Sequence, residues 1–181
     1  MLRYLFTLVL AVMSIALPSI SAAQEPGKVG VTMGFPESVG LIWHASEKLA
    51  VRPEFSFQTT SSGDTDTVEV NGHSFATGIG VLYYLRKYDR LSTYVSPRYS
   101  FGRTSTTIDS VFSGERDSVS HTHLFSGSFG AQFWMSDRFS AFGEAGLDYR
   151  HSSAQSGDIF DNESTSEGFG TRSAVGIAFY F

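Results

Sequence analysis

SAVGIAFYF, residues 173–181, is the stretch that decides how this chain folds. One set of alternate positions is large and apolar: Val175, Ile177, Phe179 and Phe181. The intervening positions are small or carry a polar tip: Ala174, Gly176, Ala178 and Tyr180. Successive side chains of a strand point to opposite faces. The segment therefore predicts a strand with one face suited to lipid and the other suited to a polar interior.

The same alternation recurs along the chain in eight segments. They cover residues 27–35, 39–45, 49–60, 67–85, 91–102, 118–135, 139–152 and 168–181. From the second reversal onward, short turns alternate with longer loops, which we expect at 61–66, 103–117 and 153–167. Asn71-Gly72 is interpreted as a turn or a bulge near the start of the fourth segment. Short turns on one side and long loops on the other are typical of membrane barrels, so we predict an all-β, transmembrane, antiparallel up-and-down barrel of eight strands.

The N-terminus has the pattern of an export signal. Arg3 precedes an apolar run over residues 4–17, and Ser21-Ala22-Ala23 has the small residues of a cleavage site. The run is too short for a transmembrane helix. We therefore predict a cleaved signal peptide over residues 1–23, export through the Sec pathway, and one barrel domain over residues 24–181.

Composition excludes several classes of function. The chain has no cysteine, which rules out disulfide scaffolds, thiolate metal sites and cysteine catalysis. A net charge of −5 argues against nucleic acid as a partner. No phosphate-binding glycine loop or nucleophile elbow is present, and we expect no cofactor.

With its signal, eight alternating segments and terminal Phe181, the chain resembles the small outer-membrane barrels of the OmpA/OmpX type. The resemblance covers residues 24–181 and implies a barrel without a peptidoglycan-binding domain. It also implies that the closing strand acts as an insertion signal for the barrel-assembly machinery, carried by Val175, Ile177, Phe179 and Phe181. We accordingly expect a monomer in the bacterial outer membrane, in contact with membrane lipid and lipopolysaccharide.

Charged residues occupy the parity opposite the apolar one: Arg52, Glu54, Arg98, Glu144, Asp148, Arg150 and Arg172. A water-soluble barrel would bury these charges in a small core at high cost, which argues against that alternative. An eight-stranded membrane barrel is only wide enough for its own side chains. The inward charges therefore pair with one another or with trapped water. They either plug the lumen or line a narrow, gated ion path.

An enzymatic alternative rests on His151-Ser152-Ser153. The spacing is similar to that of outer-membrane lipid A 3-O-deacylases, in which a His activates a Ser and a Glu orients the His. That resemblance implies catalytic roles for His151, Ser153 and Glu167, with Glu163 as another possible third member. Ala154 stands where that family usually has Asn, which weakens the resemblance.

Two further features suggest cations without defining a site. His121 and His123 share one face of a strand, but two imidazoles do not make a metal site, and we predict none. The outer loops are acidic without the ordered spacing of a calcium loop. The sequence thus favours a non-enzymatic barrel with a structural or surface-interaction role, with the deacylase and the pore as alternatives.

Overall fold

The computed structural model describes residues 25–36, 38–64, 68–110, 114–156 and 162–181. The predicted signal peptide lies outside these ranges and stays a prediction. Asp66, Asp158 and Asp161 of the acidic loops also lie outside these ranges, and the side chains of Glu115 and Glu163 are not described.

Eight strands make up the fold of the described residues, in the order of the sequence. They are β1 (Val29–Phe35), β2 (Ser38–Ser46), β3 (Leu49–Asp64), β4 (Val68–Tyr88), β5 (Leu91–Ser110), β6 (Gly114–Ser136), β7 (Phe139–Ser156) and β8 (Asn162–Tyr180). Each strand pairs antiparallel with the next, and β8 pairs with β1, so the sheet closes into a barrel. The predicted eight-stranded up-and-down barrel is confirmed. The described residues contain no helix long and apolar enough to cross a bilayer.

The strands are staggered around the barrel. Following the register from Met33 of β1 through each neighbouring strand leads to Glu167 of β8. Met33 itself pairs with Ile177 of β8, ten positions nearer the C-terminus. Closing a sheet requires such a stagger together with tilted strands. Residues far apart in sequence are thereby brought to the same height.

Alternation decides which side chains face the bilayer. Phe129, Val175 and Leu147 are exposed on the outside of the barrel, whereas Tyr94 and Tyr180 are buried inside it. Large apolar side chains cover the outside, and the buried set contains arginine, glutamate, histidine and serine. This inside-out distribution matches a wall whose solvent is lipid.

The strands are longer than the alternation predicts. Residues predicted as loops at 61–64, 103–110, 114–117, 153–156 and 162–167 belong to strands. Asn71 and Gly72 continue the ladder opposite Ser61 and Thr60, so the predicted turn or bulge there is wrong. The added strand ends are rich in serine and threonine. Beyond the bilayer both faces of a strand contact water, so the alternation of apolar and polar residues that predicts a strand is absent there.

Candidate functional site

Four charged side chains meet in the middle of the lumen, and we call them the charged lattice: Arg52, Glu54, Arg98 and Glu144. Arg52 Nε lies 2.9 Å from Glu54 Oε1, and Arg52 Nη2 contacts Glu144 Oε1. Arg98 Nη1 lies 2.9 Å from Glu54 Oε2, and Arg98 Nη2 lies 3.2 Å from Glu144 Oε2. Each arginine therefore bridges both glutamates. The result is a closed, charge-balanced ring across β3, β5 and β7.

Three of the four residues of the charged lattice, Arg52, Arg98 and Glu144, are buried, and the lattice is held from below. Arg52 is 1% exposed and Glu144 is 5% exposed. Tyr94 donates its hydroxyl to Glu144 Oε1 at 2.9 Å, so that oxygen accepts from Arg52 and from Tyr94. The Arg52 guanidinium also lies over the Phe142 ring, 4.9 Å from its centre. Buried charges are tolerated when they are paired and hydrogen-bonded in this way.

Glycines on neighbouring strands provide the space for these long side chains. Glu144 faces Gly130 across the β6–β7 ladder, and Gly80 lies between Arg52 and Arg98. A Cβ on Gly130 would overlap the ring of Tyr94. Gly80 and Gly130 therefore lie at the level of the charged lattice.

Below the charged lattice, toward the periplasm, lies a layer of buried polar and aromatic side chains. Tyr84 donates to Gln132 Oε1 at 2.7 Å, and Gln132 Nε2 donates to Tyr180 Oη at 2.9 Å. His44 Nε2 lies 3.3 Å from the same Tyr180 hydroxyl. Sequence reasoning missed this layer, although tyrosine at inward positions was a signal for it, since a buried phenol requires a hydrogen-bond partner.

Above the charged lattice, the lumen widens into a cavity of about 530 Å³, which we call the vestibule. Its floor includes Glu54 and Arg98, and its wall carries hydroxyl groups from β3 to β6: Ser56, Ser74, Ser100, Thr104 and Thr122. Arg172 of β8 also lines it. The lumen is thus filled at the end that carries the described chain ends and open at the other.

The remaining predicted lumen charges lie apart from the charged lattice. Arg172 and Asp148 are half-buried nearer the extracellular end, and Arg150 is exposed. None of the three makes an ion pair with another described residue of the predicted network. The structure therefore brings together four of the seven residues.

The predicted deacylase residues lie on the outer face. His151 Nδ1 lies 3.2 Å from Glu167 Oε1, across the β7–β8 ladder. Ser153 pairs in register with His121 and Thr165, and within the described residues it makes no hydrogen bond to His151. Nucleophilic catalysis requires a base within hydrogen-bond reach of the hydroxyl. Two members of the predicted triad therefore meet, and the nucleophile stands apart from them.

His123, one of the two histidines considered for metal binding, has a partner of its own. Its Nδ1 lies 2.9 Å from the Tyr99 hydroxyl, and its ring centre lies 6.5 Å from that of His151. Across the described ranges, no group of three or more histidine or acidic side chains is arranged to hold a metal ion.

The four residues of the predicted insertion signal lie on the lipid side of the closing seam. Val175, Ile177 and Phe179 are exposed on the outside of β8, and Phe181 follows them. Phe181 N donates to Val29 O at 3.1 Å, which ties the last residue to β1.

The chain is similar in fold to solved structures of outer-membrane barrels. A major outer membrane protein from Thermus thermophilus matches with a TM-score of 0.59 at 14% identity, over 85% of this chain and 98% of that one. Ail, the attachment invasion locus protein of Yersinia pestis, matches with a TM-score of 0.50 at 12% identity, over 87% of this chain and all of that one. The translocator domain of the autotransporter NalP from Neisseria meningitidis matches with a TM-score of 0.51 at 12% identity, over 83% of this chain and 57% of that one.

No protein-family model matches the sequence, and no curated protein matches it either. The similarity is therefore one of fold. Together with the apolar exterior, that fold gives the chain the architecture of an integral outer-membrane β-barrel.

Proposed function

We propose that this protein is a closed, non-enzymatic outer-membrane barrel with a structural or surface-interaction role. The charged lattice is the observation that carries the proposal. It places two arginines and two glutamates across the lumen at one level, where an eight-stranded barrel has room for little else. The tyrosine layer beneath it adds a second barrier to ion passage.

The long strands support a role at the cell surface. About 9–11 tilted residues cross a bilayer, whereas β6 has 23 residues and β4 has 21. The surplus lies at the extracellular end, where short turns give way to longer connections. A raised, hydroxyl-rich sheet offers surface for lipopolysaccharide or another cell-surface partner.

Two partners follow from the outer face. The band of apolar side chains contacts lipid, and the exposed C-terminal row ending at Phe181 suits recognition by the barrel-assembly machinery. One chain closes the barrel by pairing β8 with β1, which supports a monomer.

We expect the wild-type protein to add no channel conductance to a planar lipid bilayer. Electrical recording checks this, with Glu144→Gln and Arg98→Gln as test variants. Asp148→Asn is the matched control, because Asp148 faces inward without joining the charged lattice. Steady channels in the wild-type protein, with a conductance that changes in the two test variants but not in the control, would contradict the plug. They would indicate an ion path through the charged lattice.

A lipid-modifying hydrolase is the second candidate, and the contact between His151 and Glu167 favours it. The first candidate predicts that cells with wild-type protein and cells with Ser153→Ala have the same lipid A acyl pattern. Mass spectrometry of extracted lipid A measures this. An acyl chain that is lost only when both Ser153 and His151 are intact would establish the hydrolase instead.

A further inference from the structure

One side of the barrel wall is lower than the rest. β1 has seven residues and ends at Phe35, which pairs with Val175 of β8. The last pair between β2 and β3 toward the extracellular end joins Val39 to Phe55. Above these pairs, residues 56–64 of β3 and 162–174 of β8 have no partner on this side, and within the described residues β3 does not pair with β8. A gap therefore separates β3 from β8 above the β1–β2 hairpin.

The gap opens at the depth of the outer leaflet. A seven-residue strand, tilted as in such barrels, rises about 18 Å along the barrel axis. The apolar band of an outer-membrane barrel is about 25 Å tall. The hairpin therefore ends inside the band. Unpaired backbone groups of the two strand edges need polar partners there, because hydrocarbon offers none.

The vestibule borders this gap. Its lining contains Phe35 and Ser38 from the top of the hairpin. It also contains Glu54 and Ser56 from the inner face of β3, beside the hairpin. Phe35 and Ser38 form the upper edge of the wall at this point, so the vestibule reaches the gap above the hairpin.

The chemistry of the vestibule is that of an amphiphile site. Arg172 supplies a positive charge that the balanced lattice does not neutralise, and its buried Nε has no hydrogen-bond partner. Hydroxyl groups line the interior, whereas Phe35 and Phe55 form an apolar lip. On the outside of β8, Thr171 and Ser173 interrupt the apolar row beside the gap.

We propose that the vestibule binds a single-chain anionic amphiphile, such as a fatty acid, which enters sideways from the outer leaflet over the β1–β2 hairpin. Arg172 and the hydroxyl groups hold the acidic head, and the chain leaves over Phe35 into the lipid. The charged lattice is the floor of this site, so the ligand stops above it. Binding here is independent of any surface partner of the barrel.

Fluorescence titration with cis-parinarate, on protein in phosphatidylcholine nanodiscs, tests the head-group contact. We expect saturable binding that is weaker for the neutral methyl ester. Arg172→Gln should weaken parinarate binding about tenfold, since a hydrogen-bonded charge is lost. Arg150→Gln makes the same charge change on an exposed residue outside the vestibule and should bind like wild type. Equal binding by all proteins would overturn the proposal.

A second pair of variants tests the lateral route. Ser38→Phe places a bulky ring in the opening, whereas Val39→Phe places the same ring on the lipid-facing side of the same strand. We expect Ser38→Phe to slow or abolish binding and Val39→Phe to leave it unchanged. Binding that depends on Arg172 but tolerates Ser38→Phe would overturn the lateral route. Dimers that exclude the probe would show that a strand of a second copy fills the gap, and would also overturn the proposal.

Discussion

Replacing Glu144 with glutamine should lower the free energy of unfolding by about 3–5 kcal/mol. Glu144 accepts from Arg52, Arg98 and Tyr94. Its loss leaves two buried arginines facing the single carboxylate of Glu54. Removing one partner of a buried ion pair is costly because the remaining charge stays desolvated. Urea titration of the refolded protein in detergent micelles, followed by circular dichroism, measures the change.

Asp148→Asn is the control for this experiment. Asp148 lies on the same strand and the same face, and no described arginine or lysine is within ion-pair distance of it. We expect its free energy of unfolding to change by about 0.5 kcal/mol at most. A similar loss in both variants would show that inward carboxylates stabilise the barrel without a specific lattice.

The double variant Glu144→Gln/Arg98→Gln adds a second check. It restores charge balance by leaving Arg52 with Glu54. We expect the double variant to recover part of the loss, with a coupling of about 1–3 kcal/mol between the two sites. Strict additivity would contradict the ring of ion pairs.

Replacing Gly146 with alanine should destabilise the barrel by about 3 kcal/mol, at the upper end of the usual cost of overpacking. A Cβ on Gly146 would overlap the carbonyl oxygen of Gly127 and lie 2.6 Å from Ser128 Cα. Both are backbone atoms of β6, so relief requires one strand to move relative to the other. The same urea titration measures the change.

Gly143→Ala is the matched control on the same strand. Nothing lies within 4 Å of a Cβ at Gly143, so the added methyl group meets open space. We expect its stability to equal or slightly exceed that of wild type, because alanine restricts the unfolded chain more than glycine does. Equal destabilisation of the two variants would indicate a general intolerance of β7 to alanine.

Alternation was sufficient to predict the wall of the barrel. In the membrane, one face of each strand meets lipid and the other meets the lumen, so residues such as Val175 and Ile177 report the fold directly. Beyond the membrane, both faces meet water, and the rule loses its signal. The serine- and threonine-rich strand ends were therefore mistaken for loops.

Parity also placed Arg52, Glu54, Arg98 and Glu144 on the inner face, but it could not say which of the inward charges meet. The position of a residue along the barrel axis, relative to residues of other strands, depends on the register of every ladder between them. The sequence of a single strand does not reveal that register. Arg150 shares the inward parity and lies well away from the others for this reason. That the four residues act as a plug stays a prediction.

The unequal lengths of the strands bear on how the barrel closes and unfolds. β3 to β8 can associate as one broad sheet with long ladders, while the N-terminal hairpin adds only a short clasp at the periplasmic end. Loss of this clasp would split the cylinder along a single line and leave six strands side by side. Because the β1–β2 hairpin makes the shortest ladders, we expect it to pair last during insertion and to separate first under mechanical load.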